Sequence, residues 1–202
     1  MTKDYLLGID EAGRGPLAGP VAVGAVLVRK DFDWSFVAGA RDSKKMTPEA
    51  RETIYRVLVR LRREGAIRFA VGFSSVQTID RKGIVPAIAL ALQHAISKVA
   101  AHPKKTQVKL DGGLRAPAQF LFQETIIRGD DTEQIISLAS IVAKVQRDRL
   151  MVRLAKKYPR YAFEVHKGYG TKVHRENIQR HGVSAIHRRS FCKAFQKDIG
   201  VR

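Results

Sequence analysis

The chain has 202 residues, 45% of them apolar, which suits one domain with a sizeable core of its own. Its 37 lysines and arginines against 19 acids give a net charge of +18, a surface that attracts polyanions, nucleic acid first among them. One cysteine, Cys192, excludes an internal disulfide and fits a reducing, cytoplasmic setting; no apolar run reaches the ~18 residues of a membrane span, and "MTKDYLLGID" carries no signal-peptide apolar region.

Asp4 to Asp10 is predicted as a strand and Val21 to Val28 as a second. The short connection through Gly13, Gly15, Pro16 and Gly19 makes them an antiparallel pair. Thr47 followed by Pro48 is an N-cap with proline at the first helical position. The helix it opens has an apolar stripe of Ile54, Leu58 and Leu61 and ends near Gly65. "AIRFAVGF" reads as a strand, and "GIVPAIALALQHAISKVAAHP" as a helix stopped by Pro103. "TQVKLDGG" is a short strand ending in Asp111, "FLFQETII" another strand, and Thr132 to Lys157 a long helix. From Tyr158 onward the chain reads as loops and short helices. Strands first, then helices alternating with strands, imply a mixed α/β sheet with helices packed on it, and sites in such sheets form beyond strand ends.

The charge is uneven. Lys144 to Arg202 holds 16 lysines and arginines against four acids, so most of the excess lies there. The pattern divides the labour: a basic tail holds the polyanion and a more acidic body acts on it. Arg188, Arg189 and Lys193 are the tail residues expected to touch phosphate.

Asp10, Glu11, Asp111 and Asp130 form the chemically interesting set. Asp10 and Asp111 each end an apolar strand, Glu11 follows Asp10 directly, and Asp130 lies in "RGDDTEQ" just ahead of the long helix. Acids gathered at one edge of a sheet repel one another, and a hard divalent cation such as Mg2+ or Mn2+ removes that cost. No cysteine–histidine cluster points to zinc. Each acid alone also reads as a turn residue or a helix cap, and Glu133 stands three residues after Asp130 in capping-box spacing. For Asp10 and Glu11 to reach one site, the backbone must turn at about Glu11, which the following "AGRG" would permit.

The stretches "GIDEAGRGPLAGPVAVGAV", "DSKKMT", "LDGG", "GDD…ASIVAKVQRD" and "HKGYGTKVH" resemble ribonuclease HII, in that family's order and spacing and over nearly the whole chain. The "GRG" at Gly13–Gly15 resembles type 2 rather than type 3 enzymes, and Leu138 stands where the family more often has a small residue. The resemblance implies a ribonuclease H-like mixed five-stranded sheet flanked by helices. It implies a single domain over residues 4–202, a catalytic core over 4–157 and a basic helical C-terminal segment over 158–202. It implies an endoribonuclease that cuts the RNA strand of RNA:DNA hybrids and cuts 5′ of single ribonucleotides in duplex DNA, with two divalent ions, Mg2+ or Mn2+, leaving 3′-hydroxyl and 5′-phosphate ends. The family's catalytic and metal-binding acids fall on Asp10, Glu11, Asp111 and Asp130. The backbone of Gly13, Arg14 and Gly15 would read the ribose 2′-hydroxyl, assisted by Tyr169, whose ring stacks on the adjoining deoxyribose. Lys44 would contact backbone phosphate, with Ser43 in the same loop and Lys45 beside it. Asp148 is auxiliary, and His166 and His174 take structural or phosphate-binding roles. A monomer is expected, and the tail "SFCKAFQKDIGVR" carries no convincing clamp-binding motif. Two rivals predict otherwise: a binding module without catalysis would not cleave, and another metal nuclease on this fold would ignore the ribose.

Overall fold

The structure is a computed structural model that describes residues 3–40, 43 and 45–195. Five strands form one sheet: β1 (Tyr5–Ala12), β2 (Val21–Arg29), β3 (Ile67–Ser74), β4 (Thr106–Asp111) and β5 (Gln123–Ile126). Their order across the sheet is β3-β2-β1-β4-β5. The first three make an antiparallel meander, and β4 and β5 add to β1 in parallel. The helices are α1 (Pro48–Arg63), α2 (Val76–Lys82), α3 (Ile84–Val99), α4 (Gly129–Thr132), α5 (Gln134–Lys157), α6 (Phe163–His166) and α7 (Lys172–His181). This is the mixed five-stranded sheet with flanking helices that the sequence implies.

β2 is buried from Val21 to Val28, which explains its nearly unbroken apolar run: helices cover both of its faces. Val21, Val23, Ala25 and Leu27 pack with Leu7 and Ile9 of β1 against Ala87, Ala91 and Ala95 of α3. Ala22, Val26 and Val28 pack on the other face against Leu58 of α1 and Ile135, Leu138 and Ala139 of α5. Period-two alternation therefore separates two cores, and it assigns Asp10 to the α5 side.

Both helices lie very close to the sheet. A Cβ on Gly72 would sit 1.9 Å from the Ala91 carbonyl oxygen of α3, and one on Gly24 would sit 2.3 Å from the Ala139 carbonyl oxygen of α5. Only glycine fits at these contacts. The approach of α5 matters for function, because its N-terminal end carries the α4 turn beside the sheet.

Several boundaries follow the sequence. Thr47 Oγ1 accepts from Ala50 N at 3.2 Å, and Pro48 opens α1. Others differ. α3 ends at Val99, before Pro103, because Ala100 turns left-handed at φ 50°. β5 is shorter than "FLFQETII": Leu121 and Phe122 stay exposed beside this edge strand, which has one neighbour to pair with. The long helix begins at Gln134, with a separate turn at Gly129–Thr132 before it. The helix α2, capped by Ser75 Oγ on Thr78 N at 3.2 Å, was not foreseen. The expected turn at Glu11 is absent: β1 continues through Glu11 and Ala12 because Val23 and Ala22 of β2 keep pairing with them. The bend starts two residues later, at Gly13.

Among the described residues, no helix is long and apolar enough to cross a membrane.

Gly24→Val should destabilise the fold by about 1–3 kcal/mol through overpacking against α5. A urea titration measures this as a lower midpoint, and an unchanged midpoint would mean that α5 can retreat from the sheet.

Candidate active site

β1 and β4 run parallel, with Ile9 opposite Leu110 as their last registered pair. The next residues are Asp10 and Asp111, so two neighbouring strands deliver carboxylates side by side. They meet inside the strand order, at the C-terminal ends of β1 and β4. Asp130 joins them from α4, and one carboxylate oxygen from each of the three acids lies within 4.8 Å of the others. Asp111 Oδ1 accepts the Gly129 N–H at 2.8 Å, which ties the α4 turn to the end of β4. The Ser137 hydroxyl donates to the Asp130 carbonyl at 2.8 Å and braces the turn from α5.

Asp10 is 1% exposed and Asp130 is 5% exposed. Asp10 Oδ1 accepts the Glu11 N–H at 2.7 Å, while Oδ2 is buried with no hydrogen-bond partner. Burial is the main cause that holds the Asp10 carboxyl well above the usual carboxylate range. The Ser140 hydroxyl opposes that shift, and the charges of Glu11 and Asp111 add to it. Ser140 Oγ also lies 2.7 Å from Ser43 Oγ. An orphaned, buried carboxylate oxygen facing two other acids is a costly arrangement for a protein alone. An all-oxygen donor set of this kind suits a hard divalent cation, and the residues present fit one.

Glu11 is not one of the three converging acids. It lies 3.5 Å from Arg14 and borders an adjoining cavity of about 250 Å³. Ala12, Gly13, Arg14, Gly15, Ser43, Lys144 and Tyr169 complete that wall. Asp131 pairs with Lys45 at 2.6 Å, so the neighbour of Asp130 is directed elsewhere. Asp148 is also outside the carboxylate cluster: it pairs with Lys144 at 2.9 Å and lines a larger groove of about 660 Å³ with Lys144, Arg149 and Tyr169. Ser43 is buried, and its carbonyl accepts from Arg51 Nη1. Lys44 lies outside the described residues, as does the tail from residue 196.

The Gly13–Gly15 loop owes its shape to two arginines that the sequence reading did not place there. Arg188 is fully buried and donates Nε to the Gly19 carbonyl at 2.9 Å, Nη1 to Arg14 at 2.8 Å and Nη2 to Gly13 at 2.6 Å. Arg147, equally buried, donates Nε to Pro20 at 3.0 Å, Nη2 to Ala18 at 3.2 Å and Nη1 to Lys167 at 3.1 Å. Every bond ends on a backbone carbonyl. Gly13, at φ +86°, is obligatory because a Cβ there would sit 2.0 Å from Arg147 Nε. Arg188 therefore does not face solvent phosphate as expected of the tail, whereas Arg189 and Lys193 are exposed. The signal for Arg147 was present: it interrupts the buried stripe Ala139, Ala143, Met151 and Ala155 at i, i+4 spacing.

Tyr169 is 41% exposed, with Lys144 Nζ 5.5 Å and the Arg147 guanidinium carbon 5.9 Å from its ring centre. Its loop is joined to the glycine loop, since Leu17 N donates to the Gly168 carbonyl at 2.9 Å. Tyr169 and Gly13–Gly15 thus line one cavity, which Glu11, the neighbour of Asp10, also borders.

The chain matches the Ribonuclease HII family over residues 7–194. It is 44% identical over 188 residues to Ribonuclease HII of Bacillus anthracis, covering 93% of this chain and 69% of that one. It is 41% identical over 189 residues to Ribonuclease HII of Caldicellulosiruptor bescii, covering 94% and 87%. The fold is similar to the crystal structure of the ribonuclease H2 from Pyrococcus horikoshii OT3, with a TM-score of 0.72 at 23% identity over 96% of this chain and 97% of that one. A match of this extent, with five motifs in register and a shared fold, means that the chain belongs to the ribonuclease HII family.

Proposed function

We propose that this protein is an endoribonuclease that hydrolyses the RNA strand of RNA:DNA hybrids and cuts 5′ of single ribonucleotides embedded in duplex DNA, leaving 3′-hydroxyl and 5′-phosphate ends. The observation that carries this reading is the convergence of Asp10, Asp111 and Asp130, with Asp10 Oδ2 orphaned, beside a glycine loop in a chain of net charge +18. Asp10, Glu11, Asp111 and Asp130 would hold two divalent ions, Mg2+ or Mn2+. When bound, such ions lower the pKa of an attacking water and stabilise charge on the leaving oxygen. Backbone amides orient the carboxylates: the Gly129 N–H fixes Asp111, and the Glu11 N–H fixes Asp10.

Selection of ribose is assigned to the cavity next door. The 2′-hydroxyl is what separates RNA from DNA, and it both donates and accepts. The carbonyls of Gly13 and Arg14 are turned back onto Arg188, so the loop's backbone is held rigidly where Gly15 opens on the cavity. Gly15 has nothing within 4 Å of the place a Cβ would take, which leaves room for a sugar to approach. Tyr169 would stack on the neighbouring deoxyribose. Ser43 and Lys44 are proposed to hold the backbone phosphate, and Asp148 to act through Lys144. Phosphate contacts should make affinity fall with salt.

A panel of labelled duplexes tests the reading: DNA alone, an RNA:DNA hybrid, and DNA with one ribonucleotide, each with and without Mg2+. Metal-dependent cleavage confined to the two ribose-containing substrates is expected. Cleavage of all three, or of none, would overturn it.

Asp10→Asn and Asp111→Asn should each abolish cleavage while hybrid binding persists. Asp10→Asn should also raise the melting temperature of the metal-free protein. Its carboxyl is held above its unfolded value, so the stability it contributes in acid is lost as pH rises and the group ionises; a neutral amide avoids that loss. Mg2+ should then raise the melting temperature of the wild type and leave the variant unmoved. Retained turnover in either variant would remove these acids from catalysis.

Tyr169→Ala should reduce cutting at a single embedded ribonucleotide more than cutting of a long hybrid, where many registers compensate; lost stacking would account for ~1–3 kcal/mol. Tyr169→Phe should cost little if the ring does the work. Gly15→Ala, with open space and no positive φ, should leave the melting temperature unchanged while lowering kcat/KM on both substrates. Unchanged kcat/KM would mean that no sugar comes close to Gly15.

A further inference from the structure

Three histidines lie buried behind the Tyr169 loop, and their hydrogen bonds admit one arrangement of protons. Ser184 N donates to His187 Nδ1 at 2.8 Å, so that nitrogen is an acceptor and the ring's proton sits on Nε2. His187 Nε2 lies 3.0 Å from His174 Nε2, which must therefore accept. His174 carries its own proton on Nδ1 and donates it to the Tyr169 carbonyl at 2.9 Å. His166 stacks on His174 with ring centres 4.3 Å apart. Gly168 N donates to His166 Nδ1 at 3.2 Å, and His166 Nε2 donates to the Tyr161 carbonyl at 2.8 Å. The chain of donors runs in one direction, from Ser184 through His187 and His174 to the backbone of Tyr169, and every ring is neutral.

We propose that His174 and His187 are positioning residues for Tyr169: their ordered relay fixes the Tyr169 carbonyl from behind, and so sets the ring against the glycine-loop cavity for single-ribonucleotide recognition. This rests on the role given to Tyr169 above. An extra proton on His187 would set Nδ1–H against Ser184 N–H, and one on His174 would set two Nε2–H groups against each other. Either breaks the relay, so neutrality is a condition of its geometry. Burial is the main cause that holds His174 and His187 down to about 4. Other titratable groups around the rings are Tyr161, 4.8 Å from His187 between ring centres, Glu164 and Lys167 beside His166, and His181 beyond Tyr161. The unfolded chain takes up protons below about 6.5, while these folded rings resist until about 4. Stability supplied by the relay is therefore lost as pH falls through that window.

The test joins a spectroscopic signature to a double-mutant cycle. Nitrogen-15 NMR of the wild-type side chains at neutral pH should give His174 as the Nδ1–H tautomer and His166 and His187 as Nε2–H. A charged ring, or Nε2–H on His174, would overturn the relay. His187→Ala should lower kcat/KM on the single-ribonucleotide duplex roughly tenfold and lower it less on a long hybrid. His187→Gln, which keeps a donor near Nε2, should recover part of the loss and guards against a variant that fails to fold. In a Tyr169→Ala background, His187→Ala should cost nothing further; additive losses would mean that His187 acts elsewhere, and the proposal fails. If Tyr169→Ala alone leaves cleavage intact, it is the role of Tyr169 that fails, and positioning for it fails with it.

Discussion

Two buried guanidinium groups whose hydrogen bonds among the described residues all end on backbone carbonyls hold this face of the molecule together. Arg147 and Arg188 reach from α5 and from the C-terminal segment into the same loop, and between them they bind the carbonyls of Gly13, Arg14, Ala18, Gly19, Pro20 and Lys167. A buried cation is costly unless its donors are satisfied, and planar guanidinium donors on carbonyl dipoles satisfy them without adding negative charge. Burial, then the neighbouring Arg147 charge, pushes Arg188 down to about 9, which still leaves it cationic at neutral pH. A hydrogen-bonded carboxylate partner for either arginine would have added a second charge to bury in this loop. Carbonyl partners avoid this and orient the loop at the same time. The glycine loop, the tyrosine loop and the C-terminal segment become one rigid unit mounted on α5.

The acidic cluster follows the opposite logic. The arginines are satisfied within the protein, and Asp10 is not. Its orphan oxygen costs the fold stability, a cost that the proposed metal-dependent chemistry would explain, since active sites commonly carry such strained groups. Neighbouring parallel strands and a short turn before a helix place the three carboxylates with little freedom to move apart. The structure keeps them close despite their repulsion because β1, β4 and α5 are anchored by two apolar cores on either side of the sheet.

Much of this was legible in the sequence. Apolar runs ending on Asp10 and Asp111 marked strand ends, Thr47-Pro48 marked a helix start, and five motifs marked the family. What sequence alone obscured was three-dimensional accounting of charge. A count of basic residues after Ala143 treats Arg147 and Arg188 as part of a polyanion-binding wall, yet both are fully buried against carbonyls. Arg147 could have been found by its place on an apolar stripe, whereas Arg188 sits in an irregular segment with no period to betray it. The supposed turn at Glu11 rested on treating two adjacent acids as equal ligands. The β1–β2 ladder continues past them, and Glu11 stays outside the trio of converging acids. His187 was overlooked because its partners, His174 and Ser184, become meaningful only once α7 folds back on the tyrosine loop.

The strand order also constrains how the site comes into being. The meander β1-β2-β3 joins strands consecutive in the chain, and it contains Asp10 alone of the converging acids. β4 must return across about a hundred residues to pair with β1 before Asp111 stands beside Asp10, and closing so long a loop is entropically costly and slow compared with making a hairpin. α4 and α5 follow later still in the chain. During synthesis, a growing chain can therefore bury much of its first core while it still lacks a complete set of carboxylates. In the function proposed above, hydrolysis would arrive only with the long-range parallel pairing, because a partly made copy of this protein would hold no assembled cluster of Asp10, Asp111 and Asp130.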